Sequence, residues 1–243
     1  MKIIKLDAID STNSFLKKMA EDSAVENFTV VWAKNQTAGR GQMQTQWIAE
    51  EGKNLTFSVF ARPKGLNIIH QKFLNFSVAL SVYETLLEFK IPKTSIKWPN
   101  DIMTGNKKIC GILIENSLKG TDILSSVIGI GLNVNQSFLS EENFKATSMS
   151  DSLNRKLDLK EVLDVLLNKL EKNLFDLEKC KYFALEKRYL DVLYKKNVPS
   201  MFKTDQNVLF MGKIIGVSQE GKLQIELDDE TIQEFGIKEV SFA

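Results

Sequence analysis

Lys97-Trp98-Pro99-Asn100-Asp101 opens the stretch that decides the fold. Lys107-Lys108-Ile109-Cys110-Gly111-Ile112-Leu113-Ile114-Glu115 and Val127-Ile128-Gly129-Ile130-Gly131-Leu132-Asn133-Val134-Asn135 complete it. Thr104-Gly105-Asn106 lies between the first two segments and is a turn sequence, because glycine and asparagine tolerate positive φ. The pattern predicts a hairpin over residues 101–114, with the third segment as the next strand.

Polar residues fall at the ends of these predicted strands, where they can converge at one end of a sheet. They are Lys97, Asn100, Asp101, Lys108 and Asn133. Two ammonium groups, two amides and a carboxylate beside glycines suit a polyanion with its metal ion. From these residues alone, a charged rim on an antiparallel sheet is an equally good interpretation.

The same segments resemble the motifs of the biotin protein ligases. Lys-Trp-Pro-Asn-Asp, Lys-x-x-Gly-Ile-Leu-x-Glu and Ile-Gly-x-Gly-x-Asn occur in the family's order and spacing, and further motifs match over nearly the whole chain. The resemblance implies an α+β fold, in which a mixed, largely antiparallel sheet with packed helices forms a class II synthetase-like catalytic domain. It also implies that the protein activates biotin with ATP and passes it to a lysine of a carboxylase carrier domain.

Ser11-Thr12-Asn13 precedes apolar residues at helical spacing, so its simplest role is to cap a helix. The resemblance implies a second role, because the family's opening Ser-Thr-Asn motif binds the ureido ring of biotin. Hydroxyl and amide groups suit that ring, since a cyclic urea presents one strong acceptor and two donors. We therefore expect Ser11, Thr12 and Asn13 to bind biotin.

Residues 35–47 form a polar loop that is long for a compact domain and therefore expected to be functional. Gly39-Arg40-Gly41 lets the backbone approach a ligand while one guanidinium grips phosphate or carboxylate. The loop resembles the one that closes over biotin and the adenylate in the ligases. The resemblance assigns the following residues to biotin: Gln36, Gly39, Arg40, Gly41 and Gln42. Trp47 and Arg40 are assigned to ATP.

This loop departs from the family pattern Gly-Arg-Gly-Arg-x-Gly-x-x-Trp at two places. Gln42 stands where the second arginine is expected, and Gln44 replaces the later glycine. Arg40 is the one cationic residue between Lys34 and Lys53. The departure predicts that the loop holds its reaction intermediate less tightly, without changing the reaction.

The resemblance implies that Lys108, Arg40 and Lys97 are the catalytic residues. Lys108 is expected to contact the biotin carboxylate and then the acyl phosphate, while Arg40 and Lys97 neutralise phosphates. The biotin carboxylate itself attacks the α-phosphorus of ATP, so no protein nucleophile is needed. Positioning and electrostatics should then dominate catalysis.

The remaining residues of the central stretch have binding roles by the same resemblance. Asn100 and Asp101 orient phosphate and Mg²⁺, with Asp101 as the metal ligand, and Asn133 holds the nucleotide. Gly111 leaves room beneath the biotin ring. ATP with Mg²⁺ and biotin are thus expected as substrates, with no tightly bound cofactor.

The chain divides by composition after Lys195-Lys196. Short strands with turns at 205–207, 220–221 and 228–230 follow, which predict a small barrel that resembles the family's SH3-like module. We therefore predict a catalytic domain over 1–195 and an SH3-like domain over 196–243. The catalytic part should contain helices over 70–89, 159–177 and 182–194, and a plain connection over 136–153.

Composition excludes several other classes. The 243 residues are 43% hydrophobic and 26% charged, as in ordinary soluble proteins, and the net charge is +1. Such a charge gives no general attraction to DNA or to an anionic membrane. Two cysteines and one histidine, His70, leave no disulfide framework, histidine triad or histidine-rich metal site. No signal peptide begins the sequence, so we expect a cytoplasmic protein.

Three alternatives remain open from the sequence. A lipoate or octanoate ligase shares the ancestral fold, although the 97–101 motif and the predicted barrel favour biotin. A biotin-sensing repressor carries a winged helix before the ligase domain, and here the Ser-Thr-Asn motif begins at residue 11. We therefore expect the form that lacks an N-terminal DNA-binding domain, without specific DNA binding. A non-catalytic biotin- or nucleotide-binding protein is the third alternative, and the sequence allows a monomer or a homodimer.

Overall fold

The computed structural model describes residues 1–138 and 145–243, which form two β-sheets and five helices. The strands of the first sheet are β1 Ile3–Ile9, β2 Thr29–Gln36, β3 Leu55–Ala61, β4 Thr94–Lys97, β5 Asp101–Thr104, β6 Lys107–Lys119 and β7 Asp122–Leu132. The helices are α1 Thr12–Asp22, α2 Gln71–Glu88, α3 Met149–Leu153, α4 Leu159–Glu178 and α5 Tyr182–Asp191. The second sheet contains β8 Pro199–Thr204, β9 Leu209–Val217, β10 Leu223–Leu227, β11 Ile232–Phe235 and β12 Val240–Phe242.

The first sheet has the order β1-β2-β3-β7-β6-β5-β4. Only β1 and β2 pair in parallel within it, and the other neighbours are antiparallel. The predicted hairpin is present as β5 and β6, and Gly105 in its turn has a φ of +57°. These findings confirm the predicted fold class, a mixed and largely antiparallel sheet with packed helices.

Helices cover the two faces of this sheet unequally. One face packs against α2, on which α4 and α5 pack in turn, and alternate residues such as Val59 and Ile128 join that core. On the other face α1 forms a smaller core with Val31, Phe60 and Val127. Because successive side chains of a strand point to opposite faces, Gly129 and Gly131 of β7 lie on the same face as Val127. Asn13 at the start of α1 lies over Gly129, and α1 leaves the sheet beyond that point uncovered. That uncovered part of the sheet is where a ligand has room.

The long helix α2 keeps polar residues inside the larger core without leaving them unpaired. Ser77, Ser81 and Thr85 are buried, and each hydroxyl donates to a carbonyl four residues earlier at 2.6–2.8 Å. Such bonds satisfy groups that would otherwise be costly to bury. Phe76 on the same helix stacks on Tyr189 of α5 with ring centroids 3.8 Å apart.

The second sheet is antiparallel throughout, in the order β11-β10-β9-β8-β12. The predicted turns have positive φ at Asn207, Gly221 and Glu230. Side-chain hydrogen bonds link this sheet to the first part of the chain. Trp98 Nε1 donates to Gly221 O at 3.0 Å, and Lys72 Nζ donates to Ser218 O at 3.1 Å. The boundary between residues 195 and 196 remains a prediction.

Two predicted elements differ from the structure. The connection over 136–153, of which 139–144 lie outside the described residues, contains α3, because Ser148 caps a helix by accepting from Asp151 N at 3.1 Å. The last helix ends at Asp191 and not at residue 194. Tyr194 N instead donates to Ile96 O at 2.8 Å, so this segment extends alongside β4.

No helix in the described ranges is long and apolar enough to span a membrane.

Substitution of two adjacent leucines of α2 measures how much a buried side chain of the larger core contributes to the free energy of unfolding. Leu86 is fully buried, whereas Leu87 is 47% exposed. We expect Leu86→Ala to lower the free energy of unfolding by about 2–5 kcal/mol, because it leaves a cavity in a close-packed core. The matched control Leu87→Ala should change it by less than about 0.5 kcal/mol. Urea denaturation of both variants checks this, and equal losses would contradict the assignment of the core.

Candidate active site

A cavity of about 560 Å³ lies over the uncovered part of the first sheet. Its other walls are the loop that follows β2 and the edge of the second sheet formed by the β11–β12 turn and β12. The structure brings the predicted site residues together there, since all of them except Gly39 and Asn133 line the cavity. Of the five strand-end residues expected to converge, Lys97, Asn100, Asp101 and Lys108 line the cavity, and Asn133 does not.

Glycines of β6 and β7 form the floor of this cavity. Gly111 pairs with Gly131, and Leu113 pairs with Gly129, so all four lie on one face. A Cβ atom at Gly129 would lie 2.3 Å from Asn13 Oδ1, and one at Gly131 would lie 2.3 Å from Trp47 Cε2. Both distances are far below van der Waals contact. Asn13 and Trp47 therefore rest on backbone where any other residue would push them away.

A network of uncharged polar groups forms one end of the cavity. Gln36 Oε1 accepts from both the backbone N and Oγ1 of Thr12, at 2.8 and 2.9 Å. Ser58 Oγ lies 2.7 Å from Thr12 Oγ1 and 2.6 Å from Asn13 Oδ1. Ser11 Oγ accepts from Ser14 N at 3.4 Å and caps α1, so the capping interpretation also holds. The network is buried and held rigid before any ligand arrives.

Charged residues also line the cavity, and two of the cations are already paired. Lys108 Nζ lies 2.6 Å from Asp101 Oδ1, and Arg40 Nη2 donates to Glu115 Oε1 at 2.9 Å. Glu115 also accepts from Asn13 Nδ2 at 2.9 Å, so the Arg40–Glu115 pair lies beside the uncharged network, whereas Lys108 lies beside Trp47. Burial raises the pKa of Glu115, but hydrogen bonds from Asn13 and Arg40 outweigh this effect, so its pKa lies below the ordinary value.

The loop after β2 closes on itself beside these charges. Trp47 N donates to Gly39 O at 2.9 Å, and Gly41 N donates to Thr45 O at 2.7 Å. A Cβ atom at Gly39 would lie 2.3 Å from Trp47 O, so Gly39 shapes the loop and does not line the cavity. Trp47 places its indole over Gly131, and its Nε1 is buried without a hydrogen-bond partner in the described part of the chain.

Asn133 lies behind the cavity wall. It is 3% exposed, and its Nδ2 donates to Thr147 O at 3.0 Å. Its Oδ1 is buried and has no partner within residues 1–138 and 145–243. An unpaired buried acceptor is costly and is often found where a ligand supplies the missing donor. The role of Asn133 in binding a nucleotide stays a prediction.

Sequence reasoning missed two groups of residues that shape this site. Ser58 and Glu115 hold Asn13 from the strands, and only the alternation of β3 and β6 could have indicated that they lie on the face of the sheet that Asn13 contacts. The second sheet contributes Phe202, Leu223, Ile237, Lys238, Val240, Ser241 and Phe242. These contacts join distant parts of the chain, so no local pattern predicts them. The described residues contain no group of three or more histidine, cysteine, aspartate or glutamate side chains placed to hold a metal ion.

Comparisons with known proteins agree with this geometry. A family model described as the biotin/lipoate A/B protein ligase family matches residues 6–133. The bifunctional ligase/repressor BirA of Bacillus subtilis is 33% identical over 98% of this chain and 71% of its own length. A biotin--[acetyl-CoA-carboxylase] ligase of Paracoccus denitrificans is 34% identical over 51% of each chain. The biotin protein ligase of Aquifex aeolicus, in a structure with biotin and ATP, superposes with a TM-score of 0.81 at 29% identity, covering 100% of this chain and 98% of that one.

The chain therefore belongs to the biotin/lipoate A/B protein ligase family. Within that family, its resemblance is to the biotin protein ligases.

The Glu115 network makes a testable contribution to stability. Because the pKa of Glu115 is lowered, its ionised form stabilises the fold at pH values above the ordinary pKa of glutamate, about 4.3. This contribution to the free energy of unfolding disappears as the pH falls through the lowered pKa. We expect the difference in free energy of unfolding between wild type and Glu115→Gln to shrink between about pH 6 and about pH 3. Denaturant unfolding across that range measures it. A difference that is independent of pH would show that the charge of Glu115 is immaterial.

Proposed function

We propose that this protein is an ATP-dependent biotin protein ligase that works through biotinyl-5′-AMP. The observation that carries the proposal is the cavity floored by Gly129 and Gly131, with uncharged donors and acceptors at one end and lysines such as Lys97 and Lys108 towards the other. Such a cavity fits a ligand that is neutral and polar at one end and anionic at the other. Biotin joined to a phosphate has this shape, and the family membership supports the assignment.

The uncharged end suits the ureido ring of biotin. Thr12 fixes the Gln36 carboxamide by occupying Oε1, which leaves the amide nitrogen Nε2 as the donor available to a ligand carbonyl. Ser11 and the Ser58–Thr12–Asn13 cluster add hydroxyl and carbonyl oxygens that accept from ring N–H groups. A site of this kind rejects a ligand that lacks matching donors and acceptors, because binding that ligand would leave buried polar groups of the protein without hydrogen-bond partners.

This property favours biotin over lipoate, the alternative substrate in the family. The dithiolane ring of lipoate has no N–H or carbonyl group, so it would leave the Thr12, Asn13 and Gln36 network without partners. Discrimination of this type reaches about 10⁴-fold or more when the site is built around hydrogen bonds. The uncharged network therefore favours biotin as the acid that is activated.

The first half-reaction follows from the charged end. A carboxylate oxygen of biotin attacks the α-phosphorus of ATP, the bond from that phosphorus to the bridging oxygen breaks, and pyrophosphate leaves. Negative charge accumulates on phosphate oxygens, and Lys108, Arg40 and Lys97 are the groups that stabilise it. Arg40 and Lys108 are held by Glu115 and Asp101 beforehand. Because these pairs are partly exposed to solvent, exchanging a carboxylate for a substrate oxygen costs little.

The second half-reaction transfers the biotinyl group to the protein partner. The ε-amine of a carrier-domain lysine attacks the carbonyl carbon of the mixed anhydride, AMP leaves, and the amine loses a proton as the amide forms. The loop from Thr37 to Trp47 must shield the anhydride from water until the carrier domain arrives. The carrier domain of a biotin-dependent carboxylase is the partner that this chemistry requires.

Mg²⁺ is proposed to enter with ATP. Magnesium sites in nucleotide enzymes use one or two carboxylates together with substrate phosphates, and Asp101 on the cavity wall is such a carboxylate. The ion would neutralise part of the phosphate charge while Asn100, whose Nδ2 donates to Ile112 O at 2.7 Å, stays fixed beside it. A cytoplasmic location, the absence of specific DNA binding and the choice between monomer and homodimer stay as predicted from the sequence.

The direct test supplies labelled biotin or labelled lipoate with ATP and measures pyrophosphate release. The proposal expects release with biotin and at least about a hundredfold less with lipoate. Comparable rates with lipoate would favour a lipoate ligase. No release with either acid, together with tight binding of biotin, would indicate a non-catalytic binding protein.

Lys108→Ala should lower adenylate formation by about a hundredfold or more, because it removes a cation that stabilises the reacting carboxylate and phosphate. The neighbouring Lys107 is exposed on the same strand and does not line the cavity, so Lys107→Ala is the matched control. Single-turnover formation of the adenylate measures both variants. A Lys108→Ala rate within about threefold of the control, at equal thermal stability, would remove Lys108 from the mechanism.

Substitutions at the two glycines of the cavity floor should affect the binding of biotin and of ATP differently. Gly129→Ala displaces Asn13, so we expect weaker binding of biotin with little change for ATP. Gly131→Ala displaces Trp47, so we expect weaker binding of ATP with little change for biotin. Each loss should reach about tenfold, as one disrupted contact of about 1.4 kcal/mol would give. Calorimetric titration with each ligand alone checks this, and identical profiles for the two variants would contradict the proposed orientation.

A further inference from the structure

Lys238 reaches from the second sheet to the loop that covers the site. It lies in the turn between β11 and β12, lines the cavity, and donates from Nζ to Met43 O at 2.9 Å. Met43 and Lys238 are separated by 195 positions in the sequence. The contact therefore ties the two parts of the chain together directly above the charged end of the cavity.

The loop segment that Lys238 contacts is unusual in its backbone. Met43 and Gln44 have φ values of +50° and +65°, in the left-handed region that residues other than glycine adopt at a cost. Gln44 stands where the family pattern has a glycine, so this chain keeps the turn without the residue that favours it. The Lys238 ammonium accordingly stabilises a turn that local sequence alone does not favour.

The charges around the cavity show why this lysine also suits a phosphate. Of the four cations on its wall, Arg40 and Lys108 are paired with carboxylates, whereas Lys97 and Lys238 form no salt bridge within the described residues. An ammonium group has three donors, and Lys238 gives one to Met43 O. Two donors therefore remain on Lys238, which no carboxylate of the described residues pairs with.

We propose that Lys238 binds the phosphate of the acyl-adenylate and of ATP, and that it supplies from the second sheet the positive charge missing at Gln42. Gln42 lines the same cavity and immediately precedes Met43, so the lysine lies beside the position where the family pattern has its second arginine. The proposal rests on the proposed ligase function. Lys238 thereby offsets the weaker hold on the intermediate that the loop sequence predicts.

The test compares substitutions that separate charge from hydrogen bonding. We expect Lys238→Met to release preformed biotinyl-5′-AMP about tenfold faster and to weaken ATP binding by a similar factor, because one charged hydrogen bond to phosphate is lost. Lys238→Arg should stay within about threefold of wild type, since it keeps the cation. Lys238→Gln keeps a donor for Met43 O without the charge, and should behave like Lys238→Met.

Lys203→Met is the matched control. Lys203 lies on β8 next to Phe202, and the alternation of the strand turns it away from the cavity that Phe202 lines. Its substitution removes the same charge from the same sheet, so it should leave release of the adenylate unchanged. Thermal midpoints of all variants establish that each one is folded.

Crossing these variants with Gln42→Arg tests the compensation itself. If an arginine at position 42 takes over the phosphate, Lys238→Met should cost less than about threefold in the Gln42→Arg background. Equal costs in both backgrounds, or wild-type release by Lys238→Met or Lys238→Gln, would overturn the proposal. ATP titration distinguishes failure of this proposal from failure of the proposed function. If wild type made no adenylate, the proposed ligase function would be wrong. Unchanged ATP affinity in Lys238→Met would refute the phosphate contact whether or not adenylate forms.

Discussion

The lack of side chains at Gly129 and Gly131 is the constraint on which the site depends. Both glycines lie on the face of β7 against which α1 packs, and each supports one side chain at a distance that a Cβ atom would forbid. Asn13 thereby reaches the strand at one end, and Trp47 lies flat on it at the other. The two glycines are separated by one residue, so their positions are about 7 Å apart along the strand. The distance between the Asn13 and Trp47 contacts is thus set by the rise per residue of the strand.

Two of the cations that line the cavity are already paired with carboxylates, Lys108 at the end nearer Trp47 and Arg40 at the end nearer Asn13. Arg40 with Glu115 and Lys108 with Asp101 form pairs that keep two flexible cations pointed into the cavity. Their side chains are partly exposed, and pairs of this kind contribute little net free energy. A substrate carboxylate or phosphate therefore meets cations that are already positioned and that can be released at low cost. Glu115 also holds Asn13, so Asn13 and Arg40 share one anion.

The sequence predicted the parts of this structure that local patterns determine. The 101–114 hairpin, the Ser11-Thr12-Asn13 helix cap, α2, α4 and the turns of the second sheet follow from turn residues, caps and apolar periodicity. Most of the predicted site residues meet in the cavity because they end neighbouring strands. The helix α3 was missed because its cap at Ser148 lies in a polar stretch without an apolar stripe.

Contacts between distant segments could not be predicted in this way. Ser58, Glu115 and Lys238 act through partners 45, 102 and 195 positions away, to which no spacing rule applies. Gly39 and Asn133 show the converse: their motifs were found, but the structure uses Gly39 to fold the loop and places Asn133 behind the wall. The sequence identified the chemistry of the site, and the fold determined which neighbours support it.

Mass spectrometry after incubation with biotin and ATP, in the absence of a carrier domain, tests the central claim most directly. A site that works by positioning and electrostatics, without a protein nucleophile, should hold biotinyl-5′-AMP non-covalently. The account predicts a complex of that added mass under native conditions, which returns to the mass of the bare chain on denaturation. A biotinyl group bonded to the chain itself as an obligatory intermediate, or no adenylate under any condition, would contradict it.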